Sequence, residues 1–169
     1  MAQRSNHYDA AFEAYLRHVR TPHVVVDETR RALLHQASLK SMDFIVYSAR
    51  RPNLLIDVKG RKFPSGGDSQ QHKWENWATA DDLESLLQWQ QVFGSDFRAM
   101  LVFAYHIVDD GLLADFPERF EFRDNHYAFF GVWADEYYVE MRTRSESWET
   151  VSLPSRDFRR LRAPINQFL

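Results

Sequence analysis

The residues best suited to chemistry in this chain are two aspartates and a lysine: Asp43, and the triplet Asp57-Val58-Lys59. Side chains two apart on an extended strand project to one face, so Asp57 and Lys59 emerge together. Asp43 stands near the start of the apolar run Met42–Ser48, and Asp57 and Lys59 near the end of the run Asn53–Lys59. If the runs pair as a hairpin, Asp43 falls level with the triplet, with a cross-strand neighbour within about 5 Å. Carboxylates set in runs such as FIVY and LLI are costly to bury unpaired. A hard divalent cation, Mg2+ or Mn2+, held by carboxylate and carbonyl oxygens would remove that cost. Such an ion acidifies water and stabilises charge developing on a phosphate. An adjacent lysine can orient the water or offset that charge. The same three residues can also form a plain salt bridge at a sheet end, and D-x-K alone is a short pattern.

The elements that must position these groups are legible from spacing. Tyr8, Ala11, Phe12, Tyr15, Leu16 and Val19 recur at threes and fours, which predicts a helix from Asn6 to about Val19, with Ser5 or Asn6 as cap and Thr21-Pro22 as stop. His23–Asp27 reads as a short β-branched strand, and 30–35 as a helical turn. The runs 42–48 and 53–59 then form the hairpin, with Ala49-Arg50-Arg51-Pro52 as its turn. From Phe63 a Gly- and Ser-containing segment runs as a long, mobile loop to about Thr79. Thr79 caps the next helix in a capping-box arrangement with Asp82, and Gly94 ends it. Phe97–Ile107 suits a buried strand, Asp109-Asp110-Gly111 a turn, and 126–133, 137–142 and 148–153 further strands. The order predicts an α/β fold with a central mixed sheet flanked by helices.

With Ser41-Met42-Asp43-Phe44 as one half-motif and Ile56-Asp57-Val58-Lys59 as the other, the arrangement resembles the PD-(D/E)xK nuclease superfamily. That superfamily includes restriction endonucleases, archaeal-type Holliday junction resolvases and many repair nucleases. The resemblance covers roughly residues 6–107; with His7-Tyr8, Leu39–Phe44 and Leu54–Lys62 it narrows to a small bacterial branch. It implies a restriction-endonuclease-like core followed by a β-rich C-terminal extension from about 108, within one domain. It further implies a Mg2+- or Mn2+-dependent endonuclease acting on DNA in repair, recombination or restriction, often as a homodimer. Asp43, Asp57 and the Val58 carbonyl would hold the metal, and Lys59 would be the catalytic lysine. Met42 stands where many members have proline, which weakens the motif more than the chemistry. Members often add an acid from the first helix. Asp9 and Glu13, four apart on one face, are the candidates, Asp9 favoured by its place between Tyr8 and Phe12. Both also suit solvent-exposed charges. Glu28 is a weaker candidate, better placed to pair with Arg30 or Arg31.

Candidate nucleic-acid contacts cluster nearby. Arg61 shares the face of Lys59, Lys62 follows it, Arg50 and Arg51 occupy the hairpin turn, and Gln70, Gln71 and Lys73 lie in the long loop. Trp74 and Trp77 can stack on bases or pack that loop onto the core. The charge distribution agrees. The chain carries a net charge of −3, yet residues 30–73 sum to +6 while residues 74–140 sum to −11. Local positive potential is enough for phosphate contacts. With no cysteine, thiolate metal sites, disulfides and cysteine nucleophiles are excluded, and a cytoplasmic setting is permitted. No apolar run reaches the roughly 20 residues of a membrane span, and the first residues do not read as a secretory signal. The seven histidines show no HxH or HExxH spacing, and Gly-rich phosphate loops and GxSxG elbows are absent. The second reading is a non-catalytic nucleic-acid-binding or dimerisation module of the same fold, favoured by the aromatic C-terminal third.

Overall fold

In a computed structural model, residues 6–27, 31–34, 37–66 and 72–169 are described. Among the described residues, four α-helices, three sheets and the segments between them build the site's surroundings. The first helix, α1 (His7–His18), begins where Asn6 accepts a hydrogen bond from the Tyr8 amide, as expected. Next come β1 (His23–Val25), β2 (Arg31–Leu34) and β3 (Ala37–Lys40). The helical turn expected at 30–35 is not there: residues 31–34 pair with 37–40 as an antiparallel hairpin. Residue 35 itself lies outside the described residues, as do Glu28, Gln70 and Gln71.

The central hairpin is β4 (Phe44–Val46) with β5 (Asn53–Phe63), in antiparallel register with Phe44 opposite Ile56 and Val46 opposite Leu54. β5 runs four residues past the expected end at Lys59. Its parallel partner explains the extension: β7 (Phe97–Ile107) matches it residue for residue from Asn53–Phe97 to Phe63–Ile107. Between them stand β6 (Ala78–Thr79) and α2 (Ala80–Phe93), with both halves of the Thr79–Asp82 capping box formed. The long connection contains residues 67–71, outside the described set. After a 3-10 helix at Asp110–Asp115 come β8 (Phe120–Phe122) and β9 (Asn125–Trp133). β9 pairs antiparallel with β7, so the C-terminal third supplies a strand of the main sheet.

The expected strand at 137–142 is corrected. Residues 134–140 form a helix, α3 (Ala134–Glu140), and only from Arg142 does β10 (Arg142–Ser145) begin. Tyr137 is buried while Tyr138 and Val139 are exposed, a one-sided pattern that a single helical turn satisfies and an alternating strand does not. β11 (Thr150–Ser152), α4 (Ser155–Leu161) and β12 (Ala163–Pro164) complete the chain. The main sheet has the order β1-β4-β5-β7-β9-β12, with β8 also on β9; β10-β11-β6 forms a second, small sheet.

The two faces of β5 divide the interior. Leu54, Ile56 and Val58 pack with Ala11, Phe12 and Leu16 of α1. Leu55 and Phe63 join Leu83 and Leu86 of α2 and Tyr137 of α3 on the other side. Asp57 and Lys59 have the parity of Leu55, so they emerge on the α2 face. The N-terminal turns of both α1 and α2 lie beside the C-terminal half of β5. Sites in open α/β sheets gather outside the carboxyl ends of parallel strands.

Candidate active site

Asp43 lies just before β4, where its amide donates to the Ile56 carbonyl at 2.8 Å. Its Oδ2 accepts the Val58 amide at 2.6 Å, and its side chain is buried. The hairpin expectation is met, because this amide bond ties the aspartate to the middle of the D-x-K triplet. Burial pushes the Asp57 carboxyl up, against the nearby Lys59 ammonium, and the Asp82 carboxylate adds to the rise. The neighbouring Asp43 side chain works to lower the Asp57 pKa.

Lys59 is held from two sides. Its Nζ lies 3.0 Å from Asp57 Oδ1 and 2.7 Å from Asp82 Oδ2, and all three side chains are nearly enclosed. Burial alone would lower its pKa; the two carboxylates outweigh that and hold the ammonium above its ordinary range. Asp82 is the junction of this network. Its other oxygen accepts Lys40 Nζ at 2.8 Å, and Oδ2 also takes the Thr79 amide at 3.4 Å. Burial works to raise Asp82, but Lys59, Lys40 and Thr79 outweigh it and hold the carboxyl well below the usual range.

Neither Asp82 nor Lys40 was singled out as a site residue in the sequence. Asp82 was legible only as the third helical residue of a capping box; that its carboxylate also reaches β5 depends on how α2 crosses the sheet. Lys40 arrives on the β2–β3 hairpin, whose backbone is fixed to α2 by Lys40 N to Ser85 Oγ at 3.1 Å and Trp89 Nε1 to the Lys40 carbonyl at 2.8 Å.

The remaining candidates are dispersed. Asp9 is buried in the first turn of α1. Glu13 receives Arg17 Nη2 at 2.6 Å across one helical turn. Among the described residues no group of three acidic or histidine side chains is placed to hold a metal, so neither acid joins Asp43 and Asp57 in such a cluster. The Arg61 guanidinium stacks 3.9 Å from the centre of Trp77 and donates to the Trp77 and Gly60 carbonyls. Lys62 is exposed, and Lys73 Nζ lies 3.8 Å from Glu75. Arg50 and Arg51 sit in the turn at the opposite end of β5, about 25 Å along the strand from Lys59 by strand rise. Trp74 packs on Phe63, Tyr105, Phe116 and Phe130, which is the core-packing alternative.

Comparison of the structure gives a match to Hjc, a Holliday junction resolvase from the archaeal hyperthermophile Archaeoglobus fulgidus. The TM-score is 0.55 with 14% sequence identity, over 95% of this chain and 96% of that one. The fold is restriction-endonuclease-like. No protein-family model and no curated protein matches the sequence. Within this restriction-endonuclease-like fold, the likeness extends through β9 to the C-terminal strands and is not confined to the segment 6–107 that carries the motifs. At this identity it concerns the fold, and the chemistry has to be read from the side chains. What they offer is a buried carboxyl pair with one oxygen already turned to a backbone amide, and an ammonium between two carboxylates.

Proposed function

We propose that this chain is a Mg2+- or Mn2+-dependent nuclease that hydrolyses phosphodiester bonds in DNA, in recombination, repair or restriction. The observation that carries the reading is Asp43, tied by its Oδ2 to the Val58 amide at 2.6 Å, beside the Asp57–Lys59 pair at 3.0 Å in the middle of a parallel strand pair. Two buried acids side by side repel once ionised, and a hard dication between them is the natural remedy. The donor set therefore fits a metal: Asp43 and Asp57 would hold it, with the Val58 carbonyl as a further oxygen. When bound, the ion supplies an acidified water and neutralises charge on the phosphate. Lys59 keeps its proton at Nζ and donates to the reacting oxygens, steadied by Asp82. Asp82 and Lys40 fix that ammonium in place. Lys62 and Lys73 would meet backbone phosphates, and Arg61, committed to Trp77, would act there through its charge. A homodimer would let two strands be cut together.

The test uses purified protein with linear duplex, single-stranded, four-way-junction and RNA substrates and either Mg2+ or Mn2+. Cleavage of DNA that disappears in Asp57→Ala and Lys59→Ala is the expected result. Cleavage that persists in both variants would place the site elsewhere, and no cleavage of any substrate would remove the enzymatic reading. Metal binding has its own readout. At a hundredfold excess over its Kd, Mn2+ should stabilise the wild type by about 2.7 kcal/mol in thermal melts, and Asp43→Asn should abolish the effect.

Among the described residues no three acidic or histidine side chains are placed to hold one metal, which favours a second reading, a nucleic-acid-binding module without catalysis. Calorimetry separates the two: a module of that kind binds DNA but takes up no Mn2+ that depends on Asp57.

A further inference from the structure

On the α1 face of the sheet, beyond the candidate site, three basic side chains from three separate elements converge. Lys62 on β5 and His106 on β7 are cross-strand partners, and His106 in turn stands opposite Tyr127 on β9. His7, at the start of α1, places its ring 5.6 Å from His106, and its Nδ1 lies 2.8 Å from the Tyr127 hydroxyl. The His106 ring stacks on Tyr127 at 5.2 Å. The charged groups that His7 senses are His106 and Lys62, both basic, and the charge sensed by Tyr127 from the β8–β9 turn is Arg123, also basic. Among the described residues none of His7, His106 and Lys62 has a carboxylate partner; the His106 Nε2 contact is to the amide oxygen of Asn125 at 3.1 Å. His7 and Lys62 are exposed.

Folding gathers one ammonium and two imidazoles here from three elements, with no carboxylate among their own contacts, so an anion can be met by several donors at once. The Tyr127 hydroxyl and ring hold both imidazoles in place, so the donors are pre-set rather than floppy. Among the described residues too few acidic or histidine groups converge for a metal. Position narrows the anion further. Lys62 is three residues beyond Lys59 on the same strand, about 10 Å by strand rise, and projects to the opposite face, so a strand that reaches both passes around the carboxyl end of β5.

We propose that His7, His106 and Lys62 form a contact for a backbone phosphate of bound DNA, around the carboxyl end of β5 from Lys59. The proposal rests on the nuclease reading above, because it takes the substrate to be DNA. A phosphate contact of this kind sets register and carries no base preference.

Fluorescence anisotropy with a labelled DNA duplex and a labelled four-way junction, in metal-free buffer across a salt series, tests it on the full chain. Lys62→Ala should weaken binding by about five- to tenfold and make the slope of log K against log salt shallower by about 0.9. The double variant His7→Gln, His106→Gln should weaken binding by a similar factor on substrates of unrelated sequence. Lys62 is exposed and its substitution leaves the packing intact, so this arm stands even if the histidine variant folds poorly. Wild-type affinity and slope in Lys62→Ala would overturn the phosphate contact while leaving the nuclease reading in place. Failure of the wild type to bind either DNA would overturn both.

Discussion

At the scale of single residues, Lys59 owes its position to two carboxylates that are not equivalent. Asp57 belongs to the triplet and would share in binding a metal; Asp82, on α2, touches Lys59 from the other side. Once a cation engages Asp57, the hold of Asp82 on the ammonium becomes the one that remains. Asp82→Asn is therefore expected to lower kcat by about tenfold or more with little change in KM, as loss of an orienting partner does. The same variant has a signature in pH. The Asp82 carboxyl is depressed in the folded state, so its stabilisation is complete above the ordinary carboxylate pKa of about 3.9 and lost as pH falls below it. Urea melts at pH 5 and pH 3 should show a smaller loss of stability on acidification in Asp82→Asn than in the wild type. Equal losses would show that the carboxylate is not the group that titrates. The triplet and Asp43 were readable in the sequence because strand parity and hairpin register are short-range rules. Asp82 was not readable as a partner, since its contact with Lys59 spans 23 residues and depends on the crossing of a helix over a sheet.

At the scale of elements, the approach of α1 to β5 is set by a single missing side chain. Gly60 lies beneath the Tyr8 ring, and a Cβ there would come within 2.1 Å of a ring carbon. The nearest atoms include the ring carbon nearest the backbone, so a side-chain swing is not enough and α1 must move. Gly60→Ala should cost about 1–3 kcal/mol in chemical denaturation. Tyr8→Ala in the same chain should recover part of the loss; no recovery would locate the strain elsewhere. This packing also explains how His7, one residue before Tyr8, comes to stand over the ends of β5 and β7. Helices α1 and α2 and strand β7 were legible because apolar period, cap and stop agree in each. The failures share a cause. Residues 30–40 are short and polar-rich, and 137–142 mix aromatic and charged residues over less than two turns, so tertiary contacts decide between helix and strand. β5 was read too short because Gly60, Arg61 and Lys62 look like a loop, whereas pairing with β7 keeps them extended.

For the whole molecule, a net charge of −3 bears on how the proposed polyanionic substrate would be received. Topology supplies an answer. The carboxyl ends of β5 and β7 lie side by side, and β7 leads directly into Asp109, Asp110 and Asp115 around the 3-10 helix. Basic groups on β5 and α1 thus stand next to an acidic rim contributed by the chain after β7. Such a rim would repel DNA that lies across it and lower the affinity for arbitrary duplex. Replacing Asp109, Asp110 and Asp115 together by Asn removes three charges and preserves the side-chain oxygen with which Asp109 caps the Gly111 amide at 2.9 Å. The variant should bind non-specific duplex several-fold more tightly at low salt, with the difference shrinking as the Debye length falls from about 10 Å at 0.1 M to about 3 Å at 1 M. Anisotropy at several salt concentrations reads this directly. A variant whose duplex affinity stays at the wild-type value throughout would show that the bound strand never passes the end of β7. The path of the DNA would then stay on the α2 face with Lys59, across Lys40 and Lys73.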